Sequence, residues 1–522
     1  MQLYDVAVVG YGPTGLVAAS LLGRLGHRVL VVERWPTLYG LPRVTHIDDE
    51  TGRIIQASGD VAEALRDMTP TVFAWSNGKG DPLFTVTNEL EGRMGYPEHM
   101  SIHQPDIEDT IDERVRSFDN VDLRQGWALT GLEQSNSFVS LTVCPFLAAE
   151  ERADERPPEH LSAKYLIAAD GSRSFVRDAF GVERDDLGFK ARWLNFDVVK
   201  KRELGERFGQ ARQFCDPERG YMFMPIGAHR QRFEFAIFDD EDRDEAERPE
   251  TAWRLLRETH DLGPEDVEIV RQVLYSFEAR IAKQWRLGRV FLTGDAAHTQ
   301  PPYMGQGACS GMRDAVNLAW KLDLILSGRA DENLLDTYEP ERRPHVTSIT
   351  QTSVMMGHFA NMHDDDAAAQ RDAAFAAGSV PEPPPFPVLN AGVLNLDDEG
   401  HAIGGAGTTS PQGRISIGGE TGLYDDIIGF RFSLVARDGV ESSLTPRQLD
   451  FLEQLGCAIV CLDEKAVDPQ GTYRRFLDEL GCDAALIRPD FTVFGTASDG
   501  DELGSLVESL RTRLSWREAA VA

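Results

Sequence analysis

The chain has 522 residues, of which 42% are hydrophobic, and its 53 basic and 85 acidic residues give a formal net charge of −32 at pH 7. This length is enough for about three domains of ordinary size. The acidic balance argues against a nucleic acid or an anionic membrane surface as a partner, and no apolar run is long enough to span a bilayer.

The first element in the chain, Tyr4–Glu33, has the pattern of a strand, a helix and a second strand that together bind a dinucleotide. An apolar strand is predicted at Val6–Val9, a helix at Leu16–Leu25 and a second strand at Arg28–Val32. Because the chain enters a buried strand almost at once, no signal peptide is expected. A G-x-G-x-x-G turn joins the first strand to the helix, and its residues are expected to contact the dinucleotide: Gly10, Gly12, Pro13, Thr14 and Gly15.

Physical chemistry gives each part of this unit a role. The first glycine allows a tight turn, the second lets the backbone approach a pyrophosphate, and the third lets helix and strand pack closely. The helix N-terminus presents free N–H groups and a partial positive charge to the phosphates. Glu33 can accept hydrogen bonds from a ribose diol. The pattern does not distinguish FAD from NAD, and a tight turn without a ligand is the alternative.

Polar residues after the second strand are expected near the same cofactor. Arg34 follows Glu33 directly. Arg43 lies in a loop where it can pair with a phosphate or contact a flavin edge, and a surface salt bridge is the alternative. Asp48 is expected to cap the helix that follows, whereas the role of the nearby His46 stays open.

The middle of the chain changes to a strand-rich pattern. A buried strand at Lys164–Ala169 ends in Asp170. From about Asp185 to Gln284 the pattern indicates a sheet inserted between two parts of the dinucleotide-binding domain. Within this insert, strands are expected at Leu194–Val199, Gln213–Asp216, Tyr221–Pro225, Arg232–Phe238 and Tyr275–Ile281, and helices at Thr251–Thr259 and Glu265–Arg271.

A further motif follows a short predicted strand at Arg289–Thr293. Residues Gly294–Gly307 read GDAAHTQPPYMGQG, and a long helix is expected from about Ala308 to Ser327. The consecutive Pro301 and Pro302 make a stiff turn. The motif therefore predicts a rigid turn directly before a helix N-terminus.

Three motifs now stand in order along the chain: GYGPTG followed by Glu33, ADGSRSFVR at Ala169–Arg177, and the Gly294–Gly307 motif. With them the chain resembles the flavin-dependent aromatic hydroxylases, which are single-component monooxygenases with the p-hydroxybenzoate hydroxylase fold. The resemblance covers about residues 4–350. The phrases PRVTHIDDE, CDPERGYMFMP, GQGACSGMRDAVNLAWKL and LLDTYEPERRPH are most similar to the 3-(3-hydroxyphenyl)propionate hydroxylase group.

The resemblance implies bound FAD as the cofactor and NAD(P)H as a transient cosubstrate that needs no second dinucleotide fingerprint. Asp295 would accept a hydrogen bond from a ribitol hydroxyl, and the N-terminus of the following helix would stabilise negative charge on a reduced flavin. Asp170 would belong to the motif that links the FAD pyrophosphate region to the nicotinamide, with an ordinary Asp-Gly turn as the alternative. The implied cofactor contacts outside the glycine-rich turn are Glu33, Arg34, Arg43, Gln104, Asp170, Gly294, Asp295, Pro302, Gly305, Gln306 and Gly307.

The resemblance also implies a monooxygenase that hydroxylates a phenol with NAD(P)H and O₂ through a C4a-hydroperoxyflavin. The first candidate substrate is a 3-(3-hydroxyphenyl)propionate-like compound of aromatic catabolism. The alternatives are a hydroxylase of a larger polyketide or quinone-like aromatic in secondary metabolism, and a non-catalytic FAD-fold interaction protein. The expected substrate contacts are Gln213, Tyr221, Phe223, Met224, Pro301 and Pro302, with His46 and Tyr221 as candidate catalytic members of a proton relay and core packing as the alternative for each.

The predicted fold class is mixed α/β: a Rossmann-like FAD-binding domain, an inserted β-sheet substrate domain and a C-terminal domain that resembles the thioredoxin-like tail of some flavoprotein hydroxylases. The six cysteines show neither C-x-x-C nor zinc spacing, so we expect reduced thiols, no metal site, no dithiol chemistry and a cytoplasmic protein. A structural or dimerising appendage is the alternative for the tail, and a homodimer is expected from the family. The predicted ranges are 1–75, 100–184 and 285–363 for the FAD-binding domain, 76–99 and 185–284 for the substrate domain, 364–394 for a linker and 395–522 for the C-terminal domain.

Overall fold

The structure, a computed structural model, describes residues 3–146, 156–380, 384–437 and 439–518. The predicted domain ranges also include residues 1–2, 147–155, 381–383, 438 and 519–522, which lie outside the described part. The elements of the first third are β1 Leu3–Val9, α1 Pro13–Arg24, β2 Val29–Glu33, β3 His46–Asp48, α2 Asp49–Ser58, α3 Val61–Ala64, β4 Thr69–Pro70, β5 Phe73–Asn77, β6 Pro82–Val86, β7 His99–Ser101, α4 Gln104–Arg116, β8 Val121–Gln125, β9 Trp127–Gln134, β10 Val139–Pro145, β11 Glu159–Ala168 and α5 Phe175–Ala179.

Two further groups of elements complete the described chain. The middle group is β12 Arg184–Lys200, β13 Ala211–Cys215, β14 Tyr221–Ile226, β15 Arg230–Ile237, α6 Arg243–Ala246, α7 Pro249–His260, β16 Val267–Ala282, β17 Arg286–Leu287, β18 Val290–Leu292, β19 His298–Thr299, α8 Gly307–Leu326, α9 Tyr338–Ala360 and α10 Asp365–Ala376. The C-terminal group is β20 Arg414–Ile417, β21 Glu420–Leu423, α11 Tyr424–Ile428, β22 Ser433–Arg437, α12 Pro446–Leu455, β23 Ala458–Leu462, β24 Ala466–Val467, α13 Thr472–Leu480, β25 Ala484–Ile487, β26 Val493–Ala497 and α14 Gly500–Arg513.

The first sheet is Rossmann-like, as predicted. Its strands follow the order β17-β18-β11-β1-β2-β8, with β10 and β9 continuing from β11. The pairs β8–β2, β2–β1, β1–β11 and β11–β18 are parallel, and the apolar residues of β1 and β2 are buried, as in a sheet covered on both faces. The carboxyl ends of β1, β2, β11 and β18 therefore meet along one edge, where ligands of such sheets bind.

The second sheet follows the order β19-β16-β12-β15-β14-β13-β5-β6. Its outer face packs apolar side chains such as Phe196 and Phe233 against α7. Side chains alternate along a strand, so the neighbouring residues point the other way, toward the FAD-binding domain. We call this the inner face, and its central residues are Trp193, Asn195, Asp197, Arg232 and Glu234.

One prediction about local structure was wrong. Residues Glu265–Arg271 are not helical, because from Val267 onward they belong to β16, which pairs with β12 along almost its whole length. Pairing with a long neighbouring strand overrides a weak local helix pattern. The predicted linker contains helix α10, which Asp364 caps by accepting a hydrogen bond from the Ala367 N–H at 2.8 Å.

The C-terminal domain has the predicted thioredoxin-like fold. Its four-stranded sheet has the order β23-β22-β25-β26, in which β22 and β23 are parallel and β25 is antiparallel to both of its neighbours. This arrangement is a strand–helix–strand unit followed by a hairpin and a helix. Among the described helices, none combines the length and apolar character needed to cross a bilayer.

A buried ionic network ties this domain to the FAD-binding domain. The Arg488 guanidinium lies 2.7 Å from Oε2 of Glu341 on α9, and the Lys321 ammonium on α8 lies 2.9 Å from the same oxygen. All three side chains are 0% exposed. Burial alone would raise the pKa of Glu341, but Arg488 and Lys321 lower it to about 2. Arg488 also pairs with Asp490, so one guanidinium neutralises two carboxylates.

We expect Arg488→Ala to lower the free energy of unfolding by about 3–5 kcal/mol, because it leaves buried carboxylates without their partner. Denaturant titration followed by circular dichroism measures the effect. The control is Arg447→Ala, whose ion pair with Glu518 is more than half exposed on both sides and should contribute little. An equal effect of the two substitutions would contradict the prediction.

Candidate functional site

The glycine-rich turn after β1 is shaped by the three glycines in different ways. Gly10 has φ +96°, and a Cβ there would overlap the carbonyl oxygen of Ala169. A Cβ on Gly15 would overlap the carbonyl oxygen of Gly10. Gly12, in contrast, has open space, with no heavy atom within 4 Å of a Cβ placed on it. The first and third glycines thus serve the packing of the chain, and the second leaves room for a ligand.

Helix α1 begins at this open space with free N–H groups. Gly12 is its N-cap and Pro13 its first residue; no side chain caps the helix, and its first turn contains no acidic residue. The first N–H groups of a helix lack partners within the helix and favour a negatively charged ligand. The geometry therefore fits a pyrophosphate.

Glu33 is held at the end of β2. Its carboxylate accepts hydrogen bonds from the backbone N–H of Tyr11 and of Trp35, both at 2.8 Å. These bonds fix it beside the glycine-rich turn, where a ribose of a dinucleotide would lie. Arg34 turns toward the neighbouring ring, with its guanidinium carbon 5.8 Å from the centre of Trp35.

Gln104 positions the loop that carries Arg43. Its Oε1 accepts hydrogen bonds from the N–H groups of Arg43 and Val44, both at 2.7 Å, and its Nε2 donates to Glu108 at 2.7 Å. The amide of Gln104 is thus engaged within the protein. The Arg43 side chain is exposed and stacks over Tyr39, 4.0 Å from the ring centre.

The segment around position 300 lies directly against the glycine-rich turn. A Cβ on either Gly294 or Gly311 would meet the hydroxyl of Thr14. Asp295 stands at the same place with an exposed side chain, although the protein around it raises the pKa of its carboxyl by desolvation, against the effect of His298 and Arg43. Two segments almost three hundred residues apart therefore border one cleft.

Helix α8 brings a second free N-terminus to this cleft. Its N-cap, Gln306, makes no capping hydrogen bond, and the first turn has no acidic residue. The Gln306 amide instead donates to Asp48 at 2.9 Å and accepts from Arg313 at 2.9 Å. The first N–H groups of α8 are left to a ligand, which fits the electron-rich edge of a flavin.

His46 lies under the turn that precedes α8. A Cβ on Gly305 would overlap its Nδ1, and its Nε2 lies 3.2 Å from Nδ1 of His99. Burial and His99 lower the pKa of His46 to about 4, so the ring is neutral at pH 7. His99 also lines a cavity of about 620 Å³ between the FAD-binding and C-terminal domains, which Met304 and Gln306 reach as well.

Asp170 stands at the end of β11, beside Gly10. Its Oδ2 accepts a hydrogen bond from the N–H of Val176 at 3.1 Å, while its Oδ1 has no partner in the described part of the chain. Burial raises the pKa of this carboxyl. One acceptor therefore remains for a ligand or water at the sheet edge.

The predicted substrate contacts divide between the two faces of the second sheet. Tyr221 and Phe223 point to the outer face, where Tyr221 stacks on Phe214 with ring centres 4.4 Å apart. Met224 lies on the inner face and accepts a hydrogen bond from Thr45 at 3.1 Å. The Gln213 amide, also on the inner face, donates to two backbone carbonyl oxygens.

The proline turn supplies the opposite wall of this region. Pro301 is buried, and its carbonyl oxygen accepts a hydrogen bond from Ser353 at 2.7 Å. Pro302 is exposed. Tyr303, the next residue, accepts a hydrogen bond from Asn361 at 2.7 Å and packs against the inner face.

Two polar residues of the inner face were missing from the predicted site. Asn195 on β12 donates from Nδ2 to Oε1 of Glu234 on β15 at 2.7 Å. Burial and Asp197 raise the pKa of Glu234 to about 7, against the effect of Arg232. The signal was present in the sequence, because both strands alternate buried apolar residues with polar ones.

Comparison with known proteins places this geometry in a family. The family model described as "FAD binding domain" matches residues 3–353, and the "HcaD C-terminal domain" model matches residues 407–513. A probable NADH-specific resorcinol 4-hydroxylase of Rhodococcus jostii (strain RHA1) is 36% identical over 522 residues, covering 97% of this chain and 94% of that protein. A 3-(3-hydroxy-phenyl)propionate/3-hydroxycinnamic acid hydroxylase of Mycobacterium avium (strain 104) is 33% identical, covering 83% and 76%.

A solved structure extends the comparison to the whole fold. The ternary complex of aklavinone-11 hydroxylase with FAD and aklavinone aligns with a TM-score of 0.79 and 25% identity, covering 98% of this chain and 99% of that one. The family model spans the sheet edge and both helix N-termini described above. The chain therefore belongs to the FAD-binding-domain family of aromatic hydroxylases, and it is an FAD-dependent monooxygenase that acts on a phenolic ring with NAD(P)H and O₂.

Proposed function

We propose that this protein hydroxylates a small, uncharged phenol with a second hydroxyl in the meta position, with resorcinol as the first candidate. The observation that carries the proposal is on the inner face, where Asn195 donates to Glu234 and its own buried Oδ1 has no partner in the described part of the chain. The names of the relatives agree in part, because resorcinol and 3-(3-hydroxyphenyl)propionate are both meta-substituted phenols. They differ in charge, which the inner face can discriminate.

The charges of the inner face favour a neutral substrate. Arg232 lies 2.7 Å from Oδ1 of Asp197, and Arg271 lies 3.3 Å from Oδ2 of the same carboxylate. Both guanidinium groups are thus already paired, and Glu234 adds another carboxyl. The described residues of the inner face offer no spare cation for a propionate, and burying an unpaired carboxylate is costly. A 3-(3-hydroxyphenyl)propionate-like compound is therefore the second candidate, supported by the relatives' names.

Aromatic packing favours a single ring. Tyr303 lies with its ring centre 6.4 Å from that of Trp75 and 6.2 Å from that of Trp193, and these side chains fill one end of the inner face. A fused-ring polyketide would need the space that these three side chains occupy. The likeness to the aklavinone complex supports the fold, and the packing argues for a smaller substrate than aklavinone.

When bound, FAD supplies the redox chemistry, taking two electrons from NAD(P)H and using them to activate O₂. In the net reaction a ring C–H becomes C–OH with one oxygen atom of O₂. The other oxygen atom leaves as water with the hydride of NAD(P)H and one proton. The residues of this chain bind, orient and exclude water around these reactants.

We assign the cofactor contacts to two ends of the cleft. The turn Gly10–Gly15 and the N-terminus of α1 would bind the pyrophosphate, and Glu33 would bind a ribose. Asp295 and the N-terminus of α8 would bind the ribitol and the electron-rich edge of the flavin. Gln104 acts indirectly in this proposal, by fixing the loop of Arg43.

The two candidate members of a proton relay lie in different places. His46 is neutral and paired with His99 beside the cavity, which suits a proton carrier. Tyr221 points to the outer face, and we leave it out of the proposed mechanism. The homodimer and the cytoplasmic location stay predictions from the sequence.

The substrate proposal is tested with the FAD-loaded protein and a panel of resorcinol, 3-(3-hydroxyphenyl)propionate and a fused-ring phenol. We expect resorcinol to accelerate NADH oxidation and O₂ uptake, with a kcat/KM at least about tenfold above that of the propionate, because the latter buries an unpaired charge. Product analysis must show a hydroxylated ring. A higher kcat/KM for the propionate would transfer the assignment to the second candidate, and no response to any phenol would refute hydroxylation.

The cofactor assignment is tested by Gly12→Ala. The backbone at Gly12 is extended, with φ −81°, and the protein leaves space for a Cβ, so we expect normal folding. FAD binding should weaken by about 10-fold to 100-fold, since displacing a close contact costs about 1–3 kcal/mol. Fluorescence titration of the FAD-free protein measures the Kd.

The matched comparison is Gly15→Ala, whose Cβ would overlap the Gly10 carbonyl and should lower the Tm as well. The assignment of Gly12 would be contradicted by an unchanged Kd for FAD, or by a loss of Tm equal to that of Gly15→Ala.

A further inference from the structure

We propose that Glu234 accepts the proton of the substrate's phenolic hydroxyl, and that Asn195 accepts a hydrogen bond from the ring's second hydroxyl. This inference rests on the proposed function and names the groups that would carry it out. It assigns Glu234 as a catalytic residue of the chain and Asn195 as a residue that selects dihydroxylated rings.

The sheet register places Glu234 at the centre of the inner face. On β15 it lies opposite Asn195 of β12 on one side and Met222 of β14 on the other. Trp193, two residues before Asn195 on the same face of β12, has its ring centre 6.2 Å from that of Tyr303, so the proline turn lies over this part of the inner face. Tyr303 precedes Gly305 and the N-terminus of α8, where the flavin edge would lie. A ring held between this turn and the inner face would therefore contact both Glu234 and the cofactor.

The hydrogen bonds leave two acceptors for a ligand. Asn195 must direct Nδ2 to the carboxylate of Glu234, so its Oδ1 points elsewhere, and this buried oxygen has no partner in the described part of the chain. A buried acceptor without a donor is unfavourable by about 1–3 kcal/mol. The Oε2 of Glu234 likewise has no hydrogen-bond partner in the described ranges. A dihydroxybenzene brings two O–H donors, which is the complement of this pair.

The surroundings set the proton affinity of Glu234. The charged groups that act on Glu234 are Arg232 on its own strand, Asp197 on β12 and Arg271 on β16. Glu234 in turn acts on Tyr303 in the proline turn, while Tyr275 on β16 acts on Arg232 and Cys215 on β13 acts on Tyr303. The two arginines stay charged and share Asp197, and burial raises the pKa of Cys215 to about 12. With a pKa of about 7, Glu234 is ionised in a large fraction of molecules near neutral pH and can act as a general base.

The phenolic O–H bond breaks, its proton binds to a carboxylate oxygen of Glu234, and the electron pair remains on the phenolate oxygen. The ring thereby becomes more electron-rich and more reactive toward electrophilic oxygen. The proton passes to water after the product leaves, and Glu234 is again ionised for the next turnover.

The test is Glu234→Gln in the FAD-loaded protein, because the amide can still accept the hydrogen bond from Asn195. We expect hydroxylated product to form about 100-fold more slowly, the usual loss when a general base is removed. In the wild-type protein the rate should fall as the pH drops through about 7, since protonation removes the acceptor, and the variant should lack this ionisation. An ultraviolet difference spectrum should show phenolate on the wild-type protein and neutral phenol on the variant.

Two further variants test the carboxylate of Glu234 and the amide of Asn195 separately. Glu234→Asp retains a carboxylate and should restore part of the rate and the pH dependence. Asn195→Ala should raise the KM for resorcinol by about tenfold but leave the KM for a monohydroxylated phenol nearly unchanged, since one hydrogen bond is worth about 1.4 kcal/mol. The control, Glu268→Gln, alters an exposed carboxylate of the same sheet and should change nothing.

The outcomes separate the two proposals. A wild-type rate and pH profile in Glu234→Gln would overturn the role of Glu234, even if resorcinol is hydroxylated. A larger KM for every phenol in Asn195→Ala would overturn the selective role of Asn195. A wild-type protein that responds to no phenol would instead overturn the proposed function.

Discussion

The close approach of α1 and α8 at their N-termini is the constraint on which the rest of the site depends. Thr14 of the first helix lies against Gly294 and Gly311, and neither glycine leaves room for a side chain. Two helix ends with uncapped N–H groups thereby border the same cleft. Each end attracts negative charge, and a dinucleotide with a flavin offers negative charge at two separate places. The position of both helix ends on one cleft thus fits a dinucleotide that carries a flavin.

A buried ion cluster keeps the N-terminus of α8 uncapped. Burial would raise the pKa of Asp48, but Arg313 and Thr51 lower it well below its usual range. Arg313 also pairs with Glu50 at 2.7 Å and donates to the amide of Gln306. The side chain best placed to cap α8 is therefore engaged elsewhere. The cost of burying these charges is offset by their mutual pairing, and the benefit is a helix end that stays open to a ligand.

The cofactor half of the site could be predicted from the sequence, and the substrate half could not. The turn at Gly10–Gly15 is local, because its strand, helix and acidic residue are consecutive in the chain. Which face of the second sheet lines a pocket depends on elements that are distant in the chain. Helix α7 covers Phe223 and Tyr221, so these two predicted substrate contacts point into a hydrophobic core. The polar alternation at Asn195 and Glu234 is visible in the sequence, but the burial of this face depends on packing against the FAD-binding domain, which is distant in the chain. Pairing between strands that are far apart in the sequence decides which face of a strand is buried and which lines the site.

The two walls of the proposed reaction site would have opposite polarity, and this polarity follows the direction in which electrons move. On the cofactor side, the N-terminus of α8 would stabilise negative charge on the flavin, the group that stores electrons. On the substrate side, the proposed roles of Glu234 and Asn195 as acceptors of a proton and of a hydrogen bond would push electron density into the ring. A single wall with one polarity would favour either the storage of electrons or the activation of the ring. Placing donors and acceptors on opposite walls would support both, and it would give a role to a buried carboxyl that stands close to the Asp197–Arg232 ion pair.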